Sequence, residues 1–433
     1  MRPGGNRPRT RHAWHAARVD LRPSRAAISA AFFVQGLLFI SLTLRLPVVR
    51  DLFALSELAL SGLMLMLVLL AGVGSVVAER LAARTDSAST LRLALVLIAL
   101  GFVVIGVGVR GEGTFAAFVA GVACYGLGLG ANDAASNMQA VTLEHRLGRP
   151  VLPSFHAAWT AGGLLATGLA FVPVSFPVMA WLLVLAPLAV LATPLLRRDV
   201  PSSTTPPSVQ ELGLPWRRIA LVGVALVLFY MVDTAATAWG PTYLSSDTVF
   251  DDPPTSSAMF ALATLPYLAA TLLARLLGDG LTARFGPTAV VRVGAVLAFT
   301  GLLVVVFAPS STWQVAILGF FVVGLGVAVI APLAFSAAAR IASDATDPGT
   351  GDDAARRARV DATIARFNQF NYLGALLGAV LTGAIGAGNL RIGYAVPLVL
   401  VLALVPLARH FAGPARRTAT PHEKSLASDA PGS

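Results

Sequence analysis

Gly126 to Val141 read GLGLGANDAASNMQAV, and two incompatible folds claim this stretch. Gly126-x-Gly128-x-x-Ala131 matches the phosphate-cradling turn of a dinucleotide-binding fold, which requires a strand before it and a helix after it. The same residues also form the second half of a long apolar segment into which Asn132, Asp133 and Asn137 have been set. The flanking chain decides between them. The apolar run begins near residue 115, no strand pattern precedes the glycines, and Gly126 and Gly130 stand four apart, as glycines do where two membrane helices approach closely.

Composition extends that reading to the whole chain. Of 433 residues 56% are hydrophobic and 12% charged, and the mean hydropathy is +0.75. Soluble domains carry about 25% charged residues, so most of this chain has lipid for its solvent. All basic residues but Lys424 are arginine, and the net charge of +10 raises the possibility of nucleic-acid binding. The placement of the arginines removes it. The lone Cys124 lies in an apolar segment and cannot form an intrachain disulfide.

A hydrocarbon core of about 30 Å takes about 20 apolar residues in a helix. The chain offers twelve such runs: 26–44, 58–78, 91–109, 115–138, 153–173, 176–195, 218–241, 257–277, 289–308, 313–338, 364–387 and 391–408. They are continuous rather than alternating, which predicts an all-α integral membrane protein and not a barrel. With the N-terminus placed in the cytoplasm, 28 of the 32 basic residues fall on the cytoplasmic side. Only Arg45, Arg50, Arg110 and Arg391 fall opposite. This bias places both termini inside, by the rule that cytoplasmic loops are positive. The basic charge is therefore topological, and no nucleic-acid partner is expected. The sequence divides into a basic tail (1–25), a six-helix bundle (26–196), a Pro/Ser/Thr-rich linker (197–217), a second six-helix bundle (218–411) and a polar tail (412–433).

The two bundles repeat one another. LAARTDSASTLR at 81–92 aligns without gaps on LTARFGPTAVVR at 281–292. Gly121, Gly126 and Gly128 recur as Gly319, Gly324 and Gly326, and Gly162 or Gly163 matches Gly374 across an insertion. Two halves of the same orientation are the parallel repeat expected of a major facilitator transporter, which rocks its halves about a central cavity.

The motifs carry a resemblance to that superfamily. RLLGDGLTARFGP, at 275–287, is similar to its inter-helix signature, and the first copy departs from it, with Glu79 near the Gly-Asp position and Thr85-Asp86 where Phe285-Gly286 stands. NDAASNMQAVTLEHRLGRPVLPSFHAAW (132–159), LRLP (44–47) and DTAATAWGPTYL (233–244) resemble the MosC-like, fucose-permease-like branch, which includes a rhizopine transport protein. The resemblance covers all but the tails. It implies a multi-pass protein of the bacterial inner membrane that moves a small polar solute, sugar-like or amine-bearing, with protons as coupling partner. A monomer is expected. A polyspecific exporter of apolar compounds on the same fold, and a non-transporting sensor, are the alternatives.

Two acidic residues lie within spans, Asp133 and Asp233. A carboxylate there costs about 2.5–3.5 kcal/mol on insertion scales, so each must face a cavity or a partner. Asp133 and Asn137 stand one turn apart on one face, with His156 at the start of the fifth span. The acidic-x-x-x-Asn spacing is similar to that in fucose–proton symporters. Asp133 is either a carboxylate that loads and releases one proton per cycle or a clamp tying the fourth span to the next loop and the fifth span. Asp233, with Trp239 beyond it as a further candidate contact for the solute, has Gln35 as its repeat counterpart. The resemblance implies that the two face each other across the cavity. Asp233 binds solute or proton on one reading and pairs with a neighbouring helix on the other, though no intramembrane cation stands out to pair with it. His156 and Trp159 on the fifth span, and Asn368 and Asn371 on the eleventh, occupy matching repeat positions, suited to a sugar-sized ligand or to inter-helix hydrogen bonding. By the family pattern Arg275, Asp279 and Arg284 form a gating cluster on the cytoplasmic side. Arg45 either gates the outer side or snorkels at the interface. No His-x-x-x-His, cysteine pair or Walker sequence is present, so no metal, cofactor or ATP is expected.

Overall fold

The computed structural model describes residues 21–110, 114–147, 151–193, 214–344, 363, 367 and 369–412. These residues are helical, with no strand among them. The long helices are α1 (Arg22–Thr43), α2 (Glu57–Arg84), α3 (Ser87–Gly108), α4 (Phe115–Leu147), α5 (Leu152–Leu169), α6 (Phe176–Leu191), α7 (Trp216–Leu244), α8 (Ser257–Phe285), α9 (Pro287–Val306), α10 (Gln314–Asp344), α11 (Gln369–Ile385) and α12 (Leu390–Phe411). Nine of these described helices are long and apolar enough to cross a membrane; α6 and α11 are apolar but shorter, and α5 has 18 residues. Large apolar side chains such as Leu276, Phe307 and Val399 point outward, 73%, 70% and 64% exposed, while Gln35, Asn132 and Asp133 are buried. A bundle with oily exterior and polar interior is built for a lipid solvent.

Local chemistry sets where helices begin. Ser56, Asp86 and Ser256 cap α2, α3 and α8, their side-chain oxygens accepting from the backbone N–H of Ala59, Ser89 and Met259. Asp86 and Gly286 occupy the same repeat position and close the same hairpin by different means. Asp86 caps α3 with its carboxylate, whereas Gly286 turns the chain with φ of 78° into Pro287 at the start of α9. The departure of the first motif copy is thus a change of cap.

The glycines that repeat in sequence repeat in packing. A Cβ at Gly121 or Gly128 would meet Ile105 or Ile98 of α3, and one at Gly126 would meet Leu67 of α2. Their counterparts Gly319, Gly326 and Gly324 bear on Val305 and Ala298 of α9 and Tyr267 of α8. Gly162 seats α5 on Phe33 of α1, as Gly374 seats α11 on Val227 of α7. Backbones without side chains between them approach closely, which is how helices gain contact where lipid removes the hydrophobic drive. Between the two sets of six, α2 lies against α11, α5 against α8, and α1 against α7.

Proline interrupts two helices beside the interior. Pro332 has no N–H for the carbonyl of Ala328, and α10 breaks between Val327 and Ile330. Pro241 likewise deprives Thr237, and α7 widens there into a π-turn over Ala235–Trp239. The Ala328 carbonyl released by the first break becomes an acceptor in the site.

Gly130 offers the sharpest test of the packing, because a side chain there would strike the carbonyl of Ala71, whereas nothing lies within 4 Å of a Cβ at Gly168. In purified protein, Gly130→Leu is expected to lower the thermal unfolding midpoint by the equivalent of about 1–3 kcal/mol, and Gly168→Leu to leave it near wild type. Equal midpoints for the two variants would contradict this account of how α2 and α4 meet.

Candidate functional site

Asp133 sits on α4, 8% exposed, and gathers donors from three helices. Gln35 Nε2 on α1 donates to Oδ1 at 3.3 Å, and Asn137 Nδ2, one turn along α4, donates to the same oxygen at 3.3 Å and to the Asp133 carbonyl at 2.9 Å. The Tyr372 hydroxyl on α11 donates to Oδ2 at 2.6 Å. Asn132 completes the cluster from behind, donating to Gln35 Oε1 at 3.3 Å and so holding that amide with its NH2 toward Asp133.

Asp233 makes the corresponding arrangement in the second set. Tyr267 on α8 donates its hydroxyl to Asp233 Oδ1 at 2.5 Å. Arg275, two turns further along α8, lies within electrostatic reach of Asp233, Tyr230, Tyr267 and His156. Its Nε donates to the Ala328 carbonyl at 3.3 Å, the acceptor freed by Pro332, and its Nη1 donates to Thr160 Oγ1 on α5 at 2.8 Å. A guanidinium inside an apolar bundle must spend its N–H groups on protein acceptors, and a broken helix supplies one. Tyr230, one turn before Asp233 on α7, lies in reach of both carboxylates and of Arg275. The structure thus brings Gln35, Asp133, Asn137, Asp233, His156 and Arg275 toward one interior region.

Several expectations change in detail. Gln35 bonds to Asp133 rather than standing opposite Asp233. Asp133 ties α4 to α1 and α11 through the donors of Gln35 and Tyr372. Arg275 belongs to the interior cluster within the apolar span, and it is the intramembrane cation near Asp233 that the sequence did not make evident. Arg284 lies apart, its guanidinium 5.1 Å from the Phe285 ring at the end of α8. Asp279 follows Arg275 by one turn, and its side chain lies outside the described residues, as does Asn368. Asn371 is half-buried. Trp239 is fully buried with its indole N–H donating to the Ala379 carbonyl at 2.8 Å, so it joins α7 to α11. His156 meets the Phe32 ring edge-on at 5.3 Å and Trp159 lies 6.3 Å from Phe39, which holds both against α1. Arg45 is buried at the other end of α1, donating to the Ser41 carbonyl over the ring of Phe176.

Sequence reasoning sorted the carboxylates and passed over the tyrosines. The chain has six, and Tyr230, Tyr267 and Tyr372 all lie at the site. A phenol in hydrocarbon needs a partner for the reason a carboxylate does, so listing hydroxyls beside acids would have found them. Asn132 and Thr160 carry the same signal.

At the opposite end of the bundle the two sets touch again. Glu57, at the start of α2, accepts from the backbone N–H of Gly388 in the α11–α12 turn at 2.9 Å. Gly383 of α11 bears on Trp239 and on Ser61 of α2. The carbonyl of Val306 at the end of α9, that of Ala308 just beyond it and that of Val249 accept from Arg391, as helix C-termini favour a cation.

No family model matches the chain. Curated proteins do. An uncharacterised transporter of Sinorhizobium fredii, y4wD, is 30% identical over 318 residues, 72% of this chain and 81% of that protein. An uncharacterised MFS-type transporter of Yersinia pestis is 24% identical over 394 residues, 88% and 93% of the respective chains. The membrane protein MosC of Rhizobium meliloti is 27% identical over 336 residues, 72% and 75% of the two. Among solved structures, the nucleoside transporter NupG superposes with a TM-score of 0.61 at 14% identity, and FucP in its outward conformation with 0.58 at 16%. Each likeness covers 90% of this chain and 98% of the other, and at those identities it is a likeness of fold. With a relative of this identity and extent, and a bundle of this architecture, the chain belongs to the major facilitator superfamily of membrane transporters, alongside MosC.

Proposed function

We propose that the protein is a proton-coupled secondary transporter of the bacterial inner membrane, moving a small polar solute by alternating access between its two six-helix bundles. One observation carries the reading. Each interior carboxylate receives a tyrosine hydroxyl at 2.5–2.6 Å, and for Asp133 that tyrosine belongs to the other bundle. A group that exchanges a proton then stands in the contact that two moving bodies must remake. On this reading α1 to α12 are all spans, residues 197–217 link the bundles, and both termini lie in the cytoplasm. The side on which α2 meets α3 is then cytoplasmic.

The solute's chemistry follows from what faces it. Carboxylate, amide, phenol, imidazole and guanidinium groups hydrogen-bond hydroxyls and amines, and they are a poor lining for an apolar drug. FucP is described as a fucose–proton symporter and NupG as a nucleoside transporter, and both of those cargoes are rich in hydroxyl groups. A sugar-like or polyol solute fits best. The protein works as a monomer and without cofactor.

Screening sugars, polyols, nucleosides and amines by thermal shift of the purified protein identifies a cargo for transport assays. In proteoliposomes, Asp133→Asn and Asp233→Asn are each expected to abolish accumulation driven by a pH gradient, while solute counterflow persists in at least one of them. Accumulation by both variants at the wild-type level would remove the carboxylates from coupling. The topology is tested separately in a Cys124→Ala background. A cysteine at Arg84 should react with a membrane-impermeant maleimide only in inside-out vesicles, and one at Arg110 only in right-side-out vesicles; the reverse pattern would invert the assignment.

A further inference from the structure

The two oxygens of Asp133 face different bodies. Oδ1 accepts amide N–H groups from Gln35 and Asn137, both within α1–α6 and both at 3.3 Å. Oδ2 accepts the Tyr372 hydroxyl from α11 at 2.6 Å, the shortest of the three. Tyr372 is in turn fastened to its own bundle. Gly374 and Gly378 seat α11 against the backbone of α7 at Val227 and Met231, on the helix that carries Asp233.

We propose that Tyr372 is the residue that reads the protonation state of Asp133 and passes it to α11, so that loading a proton loosens the contact between the two bundles at this level. The inference deepens the proton-coupled reading above and rests on it. When Asp133 is ionised it can only accept, and the bond from Tyr372 is charge-assisted. When a proton from solvent binds either carboxylate oxygen, Tyr372 keeps its own proton and the contact becomes one between two neutral groups, about half as strong. The Oδ1 donors register the same event, but they lie in Asp133's own bundle and cannot report it across the interface. Among the described residues, Tyr230 on α7 lies in electrostatic reach of Asp133 and Glu79 on α2 in reach of Tyr372, and beyond Tyr230 stand Asp233 on α7, Arg275 and Tyr267 on α8 and His156 on α5. The hydrogen bond from Tyr372 reaches the Asp133 carboxylate from the second bundle, while those from Gln35 and Asn137 come from Asp133's own.

Tyr372 is a positioning residue on this account, and its removal is read by pH response rather than by loss of activity. Spin labels on cysteines replacing the exposed Arg84 and Phe285, at the ends of α2 and α8, report the separation of the bundles in the Cys124→Ala background. In wild type the distance distribution is expected to shift toward separation as pH falls from about 8 to about 5. Tyr372→Phe and Asp133→Asn should be flat across that range and resemble wild type at acid pH, with the close population at alkaline pH reduced about tenfold. Gln35→Leu, which removes a donor inside one bundle, should keep the shift. A Tyr372→Phe protein that follows wild type through the titration overturns the proposal and leaves proton coupling standing. A wild type whose bundles ignore pH, in vesicles where a pH gradient still drives accumulation, overturns it equally. Should Tyr372→Phe not fold, a surviving pH response in Asp133→Asn overturns it. Failure of the functional reading itself appears elsewhere, as absence of gradient-driven uptake by the wild type.

Discussion

A carboxylate buried among membrane-spanning helices depends on the protein for its hydrogen bonds, and Asp133 draws donors from α1, α4 and α11. That demand organises the interior. Gln35 can serve only because Asn132 holds its amide in the right sense, and Tyr372 can serve only because glycines bring α11 close against α7. Moving any of these elements leaves an acceptor unmet in a medium where an unmet polar group costs several kcal/mol, of order 4–8 by transfer to hydrocarbon. The polar cluster therefore specifies how the helices sit, as much as the helices specify where the cluster lies.

The second bundle meets the equivalent need with main chain. At the position matching Asp133 stands Ala331, next to Pro332, and the break in α10 frees the Ala328 carbonyl for Arg275. A similar release occurs in the π-turn of α7, where the Ala235 carbonyl accepts from Tyr394 at 2.7 Å. One scaffold thus appears twice with different fittings: an intact helix bearing a side-chain acceptor in α4, and a broken helix offering a backbone acceptor in α10. The glycine pattern common to both copies accounts for why the two bundles remain superposable in sequence while their interiors differ.

Much of the architecture was legible because apolar length and glycine spacing are local signals. The runs around 26–44, 58–78 and 91–109 map onto α1, α2 and α3, and the glycines of α4 and α10 announced the close contacts they make. Asp133 and Asp233 stood out because acids are scarce in spans. What stayed hidden depends on which helices become neighbours. Nothing in the order of residues says that Tyr372 reaches Asp133 across 239 positions, or that Arg275, read beside Asp279 and Arg284, turns inward to Thr160. The proline breaks were visible as residues, but the acceptors they release acquire meaning only when a donor from another helix arrives. Trp239 shows the converse error, since an aromatic near a carboxylate invited a ligand-contact reading and the indole is instead consumed in joining α7 to α11.

The contact between Glu57 and the Gly388 amide differs in kind from those of Tyr372 with Asp133 and Arg275 with Thr160, because one partner is backbone and has φ of 87°. An N–H is present whatever side chain a residue bears, so variation at position 388 cannot retune this bond chemically. It can only remove it, by forcing the turn out of a conformation that glycine tolerates. Evolutionary adjustment at this end of the molecule is therefore one-sided. It must run through residue 57 and the charges beside it, whereas at the opposite level both Asp133 and Tyr372 are open to drift and to compensating change.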